Sequence, residues 1–516
     1  MYSLYMKKVR FLIGLLLVVF IGFGAFGLFS MPNVNDFDNE GFSAERVAQH
    51  IKVISQEPHS VEHPQARGKV RDYLVQESVK LGCEPELLTF DSIEFRYGNY
   101  FYTIDDIYCK LDPVGGEASS YVMLIAHYDS RFRQSKLGKT VYSYGASDDA
   151  YGVGVILELV DQALKYRSDW KQGVKILFTD SEENGLDGIK VAYKNRKDVF
   201  EDVGFVINLE ARGVKGPALL FETSGGNEKL MDLYSEAKMP YGYSLTTVVY
   251  RMLPNFTDFT VVKEDIPGIN FSTIDNINYY HVDEDNFSNI NLRSIQHYGT
   301  QIIPILKEYL TSSEYASPQA LTGEDDDLFF TLPLLGMFRF SKGQYSLLCA
   351  MIFAVFCLAL VFNVVSRNAT LGGVLKKSLV IFIFSLLALG IGEGIAYLSA
   401  RFAGADFNLT DTRFVKYAGH ISVISVVVMG LIYLFVHLKK RKSSPNFAVE
   451  TLLGASLVAL VLSIVLFFAI GENFFFAIPL FLTSLALIFH IFIYLNVLSL
   501  PLLLIVALLG LSFLYA

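Results

Sequence analysis

Histidine and carboxylate residues recur in the polar half of the chain, each just after an apolar segment or at the start of a helix. Imidazole nitrogen and carboxylate oxygen are ligands that zinc favours, and catalytic zinc sites keep one position open for water. Two zinc ions about 3.5–4 Å apart need a shared bridging carboxylate and usually one histidine each. The residues that suit this chemistry stand in five segments: His127-Tyr-Asp129, Asp148-Asp149, Glu182-Glu183, Glu210 and Tyr280-His281.

Each segment has an ordinary explanation when it is taken alone. A histidine at a strand end is more often a structural residue with a hydrogen-bonding partner, and adjacent glutamates are more often solvated surface. Here, however, five segments follow in order, each with a residue type that a metal site needs. An acidic cluster of this density also repels itself unless cations lie between its members. The combination predicts a two-metal site.

The elements that must position these residues alternate between strands and helices. Short runs rich in Val, Ile, Leu and Phe predict buried strands, and apolar residues at helical spacing predict helices. This alternation predicts an α/β fold with a twisted, mainly parallel sheet flanked by helices and chemistry beyond the carboxyl ends of its strands. The predicted strands are Tyr121–Ala126, Val174–Phe178, Val203–Leu209 and Ile266–Phe271, and the predicted helices are Ala44–Ile54 and Gly152–Leu164.

The ordered motifs resemble those of the co-catalytic di-zinc aminopeptidases of clan MH. They read His-x-Asp, Ser-Asp-Asp-x-x-Gly, Glu-Glu-x-Gly-Leu-x-Gly, Asn-Leu-Glu and Tyr-His-x-x-x-Asp, within residues 44–310. The overall plan is similar to the endoplasmic-reticulum metallopeptidase and vacuolar membrane protease branch, in architecture only. The resemblance implies a zinc-aminopeptidase-type fold. It also implies a membrane-anchored zinc exopeptidase that removes N-terminal residues from peptides outside the cytoplasm.

The resemblance implies a metal-binding role for five of these residues, with two zinc ions per chain. Asp148 would bridge the two ions. His127 and Glu210 would complete one site, and Glu183 and His281 would complete the other.

Three further residues receive roles from the same resemblance. Glu182 would be the general base that deprotonates a metal-bridging water and then passes the proton to the leaving amine. Asp129 would orient the ring of His127 from behind the metal ligands, as carboxylates commonly do. Tyr280 would donate a hydrogen bond to the oxyanion of the tetrahedral intermediate.

Two departures from the family pattern leave substrate specificity open. Glu210 stands where the secreted aminopeptidases have Asp, and Arg212 stands where a small residue is expected. One alternative is a glutaminyl-cyclase-like enzyme with one zinc, although a single-zinc site does not need His127. Another is a non-catalytic receptor or transporter with a peptidase-like domain.

The last third of the chain is almost continuously apolar and raises the mean hydropathy of the whole to +0.37. Its apolar runs approach the ~20 residues that a bilayer requires. The predicted domains are a cytoplasmic N-terminus with an anchor (1–32), a di-zinc peptidase domain (33–327) and a transmembrane domain of about six helices (328–516). The predicted spans are Phe11–Phe29, Tyr345–Val365, Ser378–Ala400, Ala418–Leu438, Thr451–Ile470, Phe474–Tyr494 and Asn496–Tyr515.

Basic residues in the connecting segments predict the orientation of these spans. Segments 7–10, 367–377 and 439–442 are rich in Lys and Arg and contain no acidic residue. The positive-inside rule places them in the cytoplasm, which makes the chain an integral multi-pass membrane protein. The peptidase domain then lies on the periplasmic, extracellular or lumenal side.

Charge and cysteine content bound the partners and the compartment. The net charge of -9 argues against nucleic-acid binding, so the expected partners are a peptide substrate and the lipid bilayer. Cys83 and Cys109 lie in the polar domain and would pair only if the fold brings them together, because geometry decides pairing.

Overall fold

A computed structural model describes residues 31–402 except 137, 254, 333 and 334, and residues 446–492, with a few single residues between 498 and 506. Met31–Ser341 forms one compact unit, and the described residues from Lys342 onwards belong to another. The predicted spans Phe11–Phe29, Ala418–Leu438 and Asn496–Tyr515 lie outside the continuous described ranges.

The strands and helices follow in chain order, with the last four helices in the second unit. The strands are β1 (Glu86–Glu94), β2 (Phe101–Leu111), β3 (Tyr121–His127), β4 (Gln134–Lys136), β5 (Lys139–Val141), β6 (Gly173–Thr179), β7 (Val203–Ala211), β8 (Leu219–Thr223), β9 (Gly268–Thr273), β10 (Asp327–Leu332) and β11 (Gly336–Ser341). The helices are α1 (Ala44–Ile54), α2 (Pro64–Lys80), α3 (Ala150–Leu164), α4 (Asp187–Asn195), α5 (Lys197–Phe200), α6 (Glu228–Tyr234), α7 (Ser244–Met252), α8 (Phe259–Val262), α9 (Leu292–Thr311), α10 (Lys342–Val365), α11 (Leu371–Phe402), α12 (Phe447–Ile470) and α13 (Phe474–Ile491).

A seven-stranded sheet crosses the first unit in the order β1-β2-β6-β3-β7-β9-β8. Strands β6, β3, β7 and β9 are mutually parallel, whereas β1, β2 and β8 join the edges antiparallel. Every residue of the four central strands is buried, as expected when helices cover both faces. The predicted α/β class and the four predicted strands are confirmed. Strand β9 begins at Gly268 instead of Ile266, because the Ile266 N–H still donates to the helical carbonyl of Val262.

The core fills both faces of the sheet. Alternate residues of β3 point to opposite sides, so Leu124 packs with α1, α3 and α9 while Ile125 packs with α4, α5 and α8. Helix α1 has the predicted bounds, and α3 starts two residues before the predicted one. The start of α3 is fixed by Asp149, whose carboxylate accepts the N–H of Gly152 at 2.9 Å.

A hairpin of β10 and β11 ends the first unit, which extends to Ser341, past the boundary predicted between residues 327 and 328. The apolar run Leu328–Leu332 suits a membrane segment by hydropathy alone. In the fold, Phe329 is fully buried in the core of the first unit.

Four helices of the second unit are long and apolar enough to cross a membrane within the described ranges. They are α10, α11, α12 and α13, and they coincide with four of the predicted spans. The chain therefore carries the apolar helices expected of a membrane protein.

Cys83 and Cys109 are neighbours in the first unit, and both are buried free thiols. A hydrogen bond from Cys109, together with burial, raises the pKa of the Cys83 thiol. The fold does bring the two side chains together, in the reduced form.

Candidate metal centre

The predicted metal-binding residues meet at the carboxyl edge of the parallel strands. His127 is the last residue of β3, and Glu210 lies near the end of the neighbouring strand β7. Asp148 precedes α3, Glu183 lies in a one-turn helix (Glu182–Asn184) after β6, and His281 follows β9. The parallel register carries all these segments to one edge.

Two groups of ligands share Asp148. In the first group, the His127 Nε2 atom lies 3.2 Å from Asp148 Oδ1 and 4.0 Å from Glu210 Oε2. In the second, the His281 Nε2 atom lies 3.2 Å from Asp148 Oδ2 and 3.0 Å from Glu183 Oε1. Each oxygen of Asp148 thus faces a different group, which is the arrangement of a bridging carboxylate.

The donor atoms of both groups fit metal ions. Within each group one ligand atom from every residue lies within 4.8 Å of the others. Among the described residues, Asp148 Oδ2, Glu183 Oε1 and His281 Nε2 are buried without a hydrogen-bond partner. Buried polar atoms are costly when unpartnered, so three at one place indicate a missing ligand. Atoms bound at about 2.0–2.1 Å to a tetrahedral zinc lie about 3.3 Å apart, close to the separations of 3.0–3.2 Å seen here.

Asp129 connects the ligands through its backbone and its carboxylate. The Nδ1 atom of His127 lies 2.9 Å from the Asp129 carbonyl oxygen and 3.4 Å from its Oδ1. The carboxylate accepts the N–H groups of Glu182 at 3.0 Å and Glu183 at 3.3 Å. Asp129 therefore sits where a residue orienting His127 should be, and it also fixes the turn that carries both glutamates.

Glu182 is adjacent to a ligand and belongs to neither metal group. Burial raises the pKa of its carboxyl well above the ordinary value, against the attraction of His127. Glu183 faces His281 at 3.0 Å, whereas the adjacent Glu182 is a buried carboxyl outside both groups.

Tyr280 stacks on the ligand His281, with ring centroids 3.5 Å apart and an interplanar angle of 25°. Burial raises the pKa of its phenol well above the ordinary value, so the hydroxyl keeps its proton. A protonated phenol at this position is a hydrogen-bond donor.

Two residues that hold the ligands were not assigned roles from the sequence. Arg131 donates from Nη1 to the carbonyl oxygen of Glu183 at 2.8 Å and to its Oε2 at 2.9 Å. Asp285 accepts from the Ser147 N–H at 2.7 Å and the Asp148 N–H at 3.3 Å. Asp285 is the last residue of the Tyr-His-x-x-x-Asp motif, so a signal for it was present, whereas no motif pointed to Arg131.

The backbone at two of these segments adopts left-handed conformations. Ser181, just before the two glutamates, has φ of 63°, and His281 has φ of 63°. Such angles cost non-glycine residues of order 1–3 kcal/mol and cluster at functional sites. The fold holds both residues in this conformation beside the candidate ligands.

Comparison with known proteins agrees with this geometry. Residues 107–306 match peptidase family M28, a segment that contains every ligand of both groups. The matched segment, which is less than half of the chain, is thus similar to peptidase family M28. The same chain also carries four helices, within the described ranges, that are long and apolar enough to cross a membrane.

Curated relatives share this domain. Mouse "Endoplasmic reticulum metallopeptidase 1" is 29% identical over 287 residues, which cover 54% of this chain and 29% of the relative. The "Vacuolar membrane protease" of Candida tropicalis is 26% identical over 257 residues, covering 48% and 26%. The match thus spans less than a third of each relative.

Among solved structures, the glutaminyl cyclase of Porphyromonas gingivalis aligns with a TM-score of 0.42 and 20% identity, over 52% of this chain and 99% of that one.

Proposed function

We propose that this protein is a membrane-anchored zinc aminopeptidase that binds two zinc ions and removes N-terminal residues from peptides. The observation that carries the proposal is the sharing of Asp148 by two groups of candidate ligands, all of them buried except the half-buried His281. His127 and Glu210 would hold one ion with it, and Glu183 and His281 the other. A site for a single ion does not explain why the two oxygens of the Asp148 carboxylate face different groups of ligands.

When bound, zinc supplies Lewis-acid activation of the scissile carbonyl and of water. Glu182 accepts the proton of the attacking water and delivers it to the leaving amine, because it is the glutamate in the turn that no ligand group uses. Tyr280 donates its hydroxyl hydrogen bond to the oxyanion that forms as the carbonyl carbon becomes tetrahedral. Asp129 holds the turn and the His127 ring in place during these steps.

We further propose that the chain crosses the membrane several times with its M28 domain outside the cytoplasm. The support is the basic character of segments 7–10, 367–377 and 439–442, together with four apolar helices in the described part of the second unit. In this arrangement the peptidase domain begins near residue 33, ends at the β10–β11 hairpin and acts on extracytoplasmic peptides.

The test combines metal analysis with peptide hydrolysis by the purified full-length protein. We expect two zinc ions per chain, and release of N-terminal amino acids that a chelator abolishes and added zinc restores. One zinc per chain with cyclisation of N-terminal glutamine would support the cyclase-like alternative. Two bound zinc ions with no hydrolysis of any peptide in a mixed pool would overturn the proposal and favour a receptor.

A further inference from the structure

Arg212 follows β7 directly and lies two residues after the ligand Glu210. Its N–H donates to Ser272 Oγ at 3.1 Å and to the Thr273 carbonyl at 2.9 Å, and the same carbonyl accepts the N–H of Gly213, so the chain bends at the end of the β7–β9 pairing. The Arg212 side chain lies beside the candidate metal centre, because its Cζ is 5.5 Å from the ring centroid of Tyr280, which stacks on His281.

The guanidinium of Arg212 lies near two aromatic rings and at ion-pair distance from no acidic residue among those described. Its Cζ lies 5.5 Å from the ring centroid of Tyr280 and 5.8 Å from that of Tyr250. It makes no ion pair or side-chain hydrogen bond with any residue in the described part of the chain. By contrast, Arg131 lies 2.9 Å from Glu183, and Arg67 lies 3.3 Å from Asp180.

Tyr250 supplies an independent observation at the same place. This residue is 8% exposed, and its hydroxyl is a buried polar atom with no hydrogen-bond partner among the residues described. Buried hydroxyls normally find a partner. An unpartnered donor and an unpaired cation thus lie side by side, next to the ring that stacks on His281.

The charge of this pocket decides what it can receive. Glu210 and Asp148 attract the Arg212 guanidinium electrostatically, but neither lies at ion-pair distance from it, and two zinc ions bound to these carboxylates would weaken that attraction. A cation there favours an anionic group of the substrate, and guanidinium matches a planar carboxylate with two parallel hydrogen bonds.

We propose that Arg212 is a specificity-determining residue that binds a carboxylate carried by the peptide substrate beside the scissile bond. This inference rests on the proposed peptidase function and adds the class of substrate to it. The carboxylate comes either from an acidic N-terminal side chain or from the terminal carboxylate of a dipeptide. The rings of Tyr250 and Tyr280 hold the guanidinium between them by cation–π contact.

The test compares matched carboxylate and carboxamide substrates with the zinc-loaded full-length protein. One arm uses peptides with N-terminal Glu or Gln and an amidated C-terminus, and the other uses a neutral dipeptide and its amide. A hydrogen bond to a charged group is worth about 1.5–3 kcal/mol, so we expect kcat/KM to favour the carboxylate roughly 10- to 100-fold in one arm. The arm that shows the preference identifies the source.

Variants of Arg212 distinguish a loss of substrate recognition from a loss of folded protein. The ratio of kcat/KM for the carboxylate substrate to kcat/KM for the carboxamide substrate does not change when activity falls equally on both. Arg212→Met should reduce the ratio to about one, and Arg212→Lys should restore part of it, since lysine keeps the charge without the fork. Arg251→Met is the matched control, because Arg251 is exposed at the end of α7, beside Tyr250, and its loss should leave the ratio unchanged.

Binding provides a readout that does not depend on turnover. The Kd of each peptide pair for the zinc-loaded protein, measured by calorimetry, should show the same preference and the same loss in Arg212→Met. Equal affinities and equal rates within both pairs, or a preference that survives in Arg212→Met, would overturn the inference. Absence of hydrolysis with an intact Kd preference would instead overturn the proposed peptidase function alone.

Discussion

The two ligand groups predict a specific dependence of stability on zinc. A ligand that binds only the folded state adds RT ln(1 + [L]/Kd) to the free energy of unfolding. Above saturation, each zinc site therefore adds about 1.4 kcal/mol for every tenfold rise in free zinc, and two sites add about 2.8 kcal/mol. Because Asp148 belongs to two groups of candidate ligands, we expect the free energy of unfolding to rise by the two-site value for every tenfold rise in free zinc.

The chain's single tryptophan provides the assay. Trp170 is buried in the first unit, where its Nε1 donates to the Ala163 carbonyl at 3.2 Å. Its fluorescence reports the unfolding of this unit in the full-length protein in detergent. Urea unfolding at a series of buffered zinc concentrations then gives the dependence directly.

Ligand variants complete this experiment. His281→Ala removes a ligand of the second group only and should lower the dependence to about 1.4 kcal/mol per tenfold change in zinc. His63→Ala is the control, since His63 lies in the same unit and belongs to neither group. If the free energy of unfolding of the unmodified protein rose by only about 1.4 kcal/mol per tenfold rise in zinc, the two-ion interpretation would be refuted. It would also be refuted if His281→Ala had the same zinc dependence as the unmodified protein.

Three other outcomes are expected. Arg131→Met should weaken zinc binding by roughly 10- to 100-fold, because Glu183 loses the hydrogen-bond donor that orients its carboxylate. Competition with a chelating dye measures the affinity, and an unchanged affinity would contradict this role of Arg131. Burial lowers the pKa of His297 to about 4, so between about pH 6.5 and pH 4 the histidine is protonated in the unfolded state and neutral in the folded state. The free energy of unfolding of the unmodified protein, relative to that of His297→Gln, should therefore fall by about 3 kcal/mol from pH 6.5 to pH 4. A difference between the two proteins that stays constant with pH in urea unfolding would disprove this. In sealed vesicles with the cytoplasmic face outward, a cysteine at the exposed Ser366 should react with a membrane-impermeant maleimide, whereas one at the exposed Ser313 should react only after permeabilisation; the reverse pattern would invert the proposed orientation.

The central sheet was predictable because its strands are buried on both faces and so read as continuous apolar runs. The antiparallel edge strands were not predicted, since β1 is mostly exposed and carries polar residues throughout. The sequence of β1 therefore resembles that of a loop. Its pairing with β2 depends on cross-strand contacts in the folded protein, which the local sequence pattern does not show.

The five residues proposed as metal ligands could be singled out because their types follow strand ends in a recurring order, and the fold brings all five together. The supporting contacts were harder to foresee. Arg131 reaches Glu183 from 52 positions away in the chain, and nothing in its local sequence indicates this contact. Hydropathy alone also does not show that Phe329 belongs to the core of the first unit, because an apolar residue suits a soluble core as well as a bilayer.

The most direct test of the account is to measure zinc content and peptide hydrolysis together in Glu182→Gln. This glutamate belongs to neither ligand group, so the variant should keep two zinc ions per chain. Loss of a general base should lower kcat by roughly 10²- to 10⁴-fold on peptides that the unmodified protein cleaves. A zinc-loaded variant that cleaves these peptides at the unmodified rate would contradict the role of Glu182, and loss of zinc from the variant would contradict its place outside the two ligand groups.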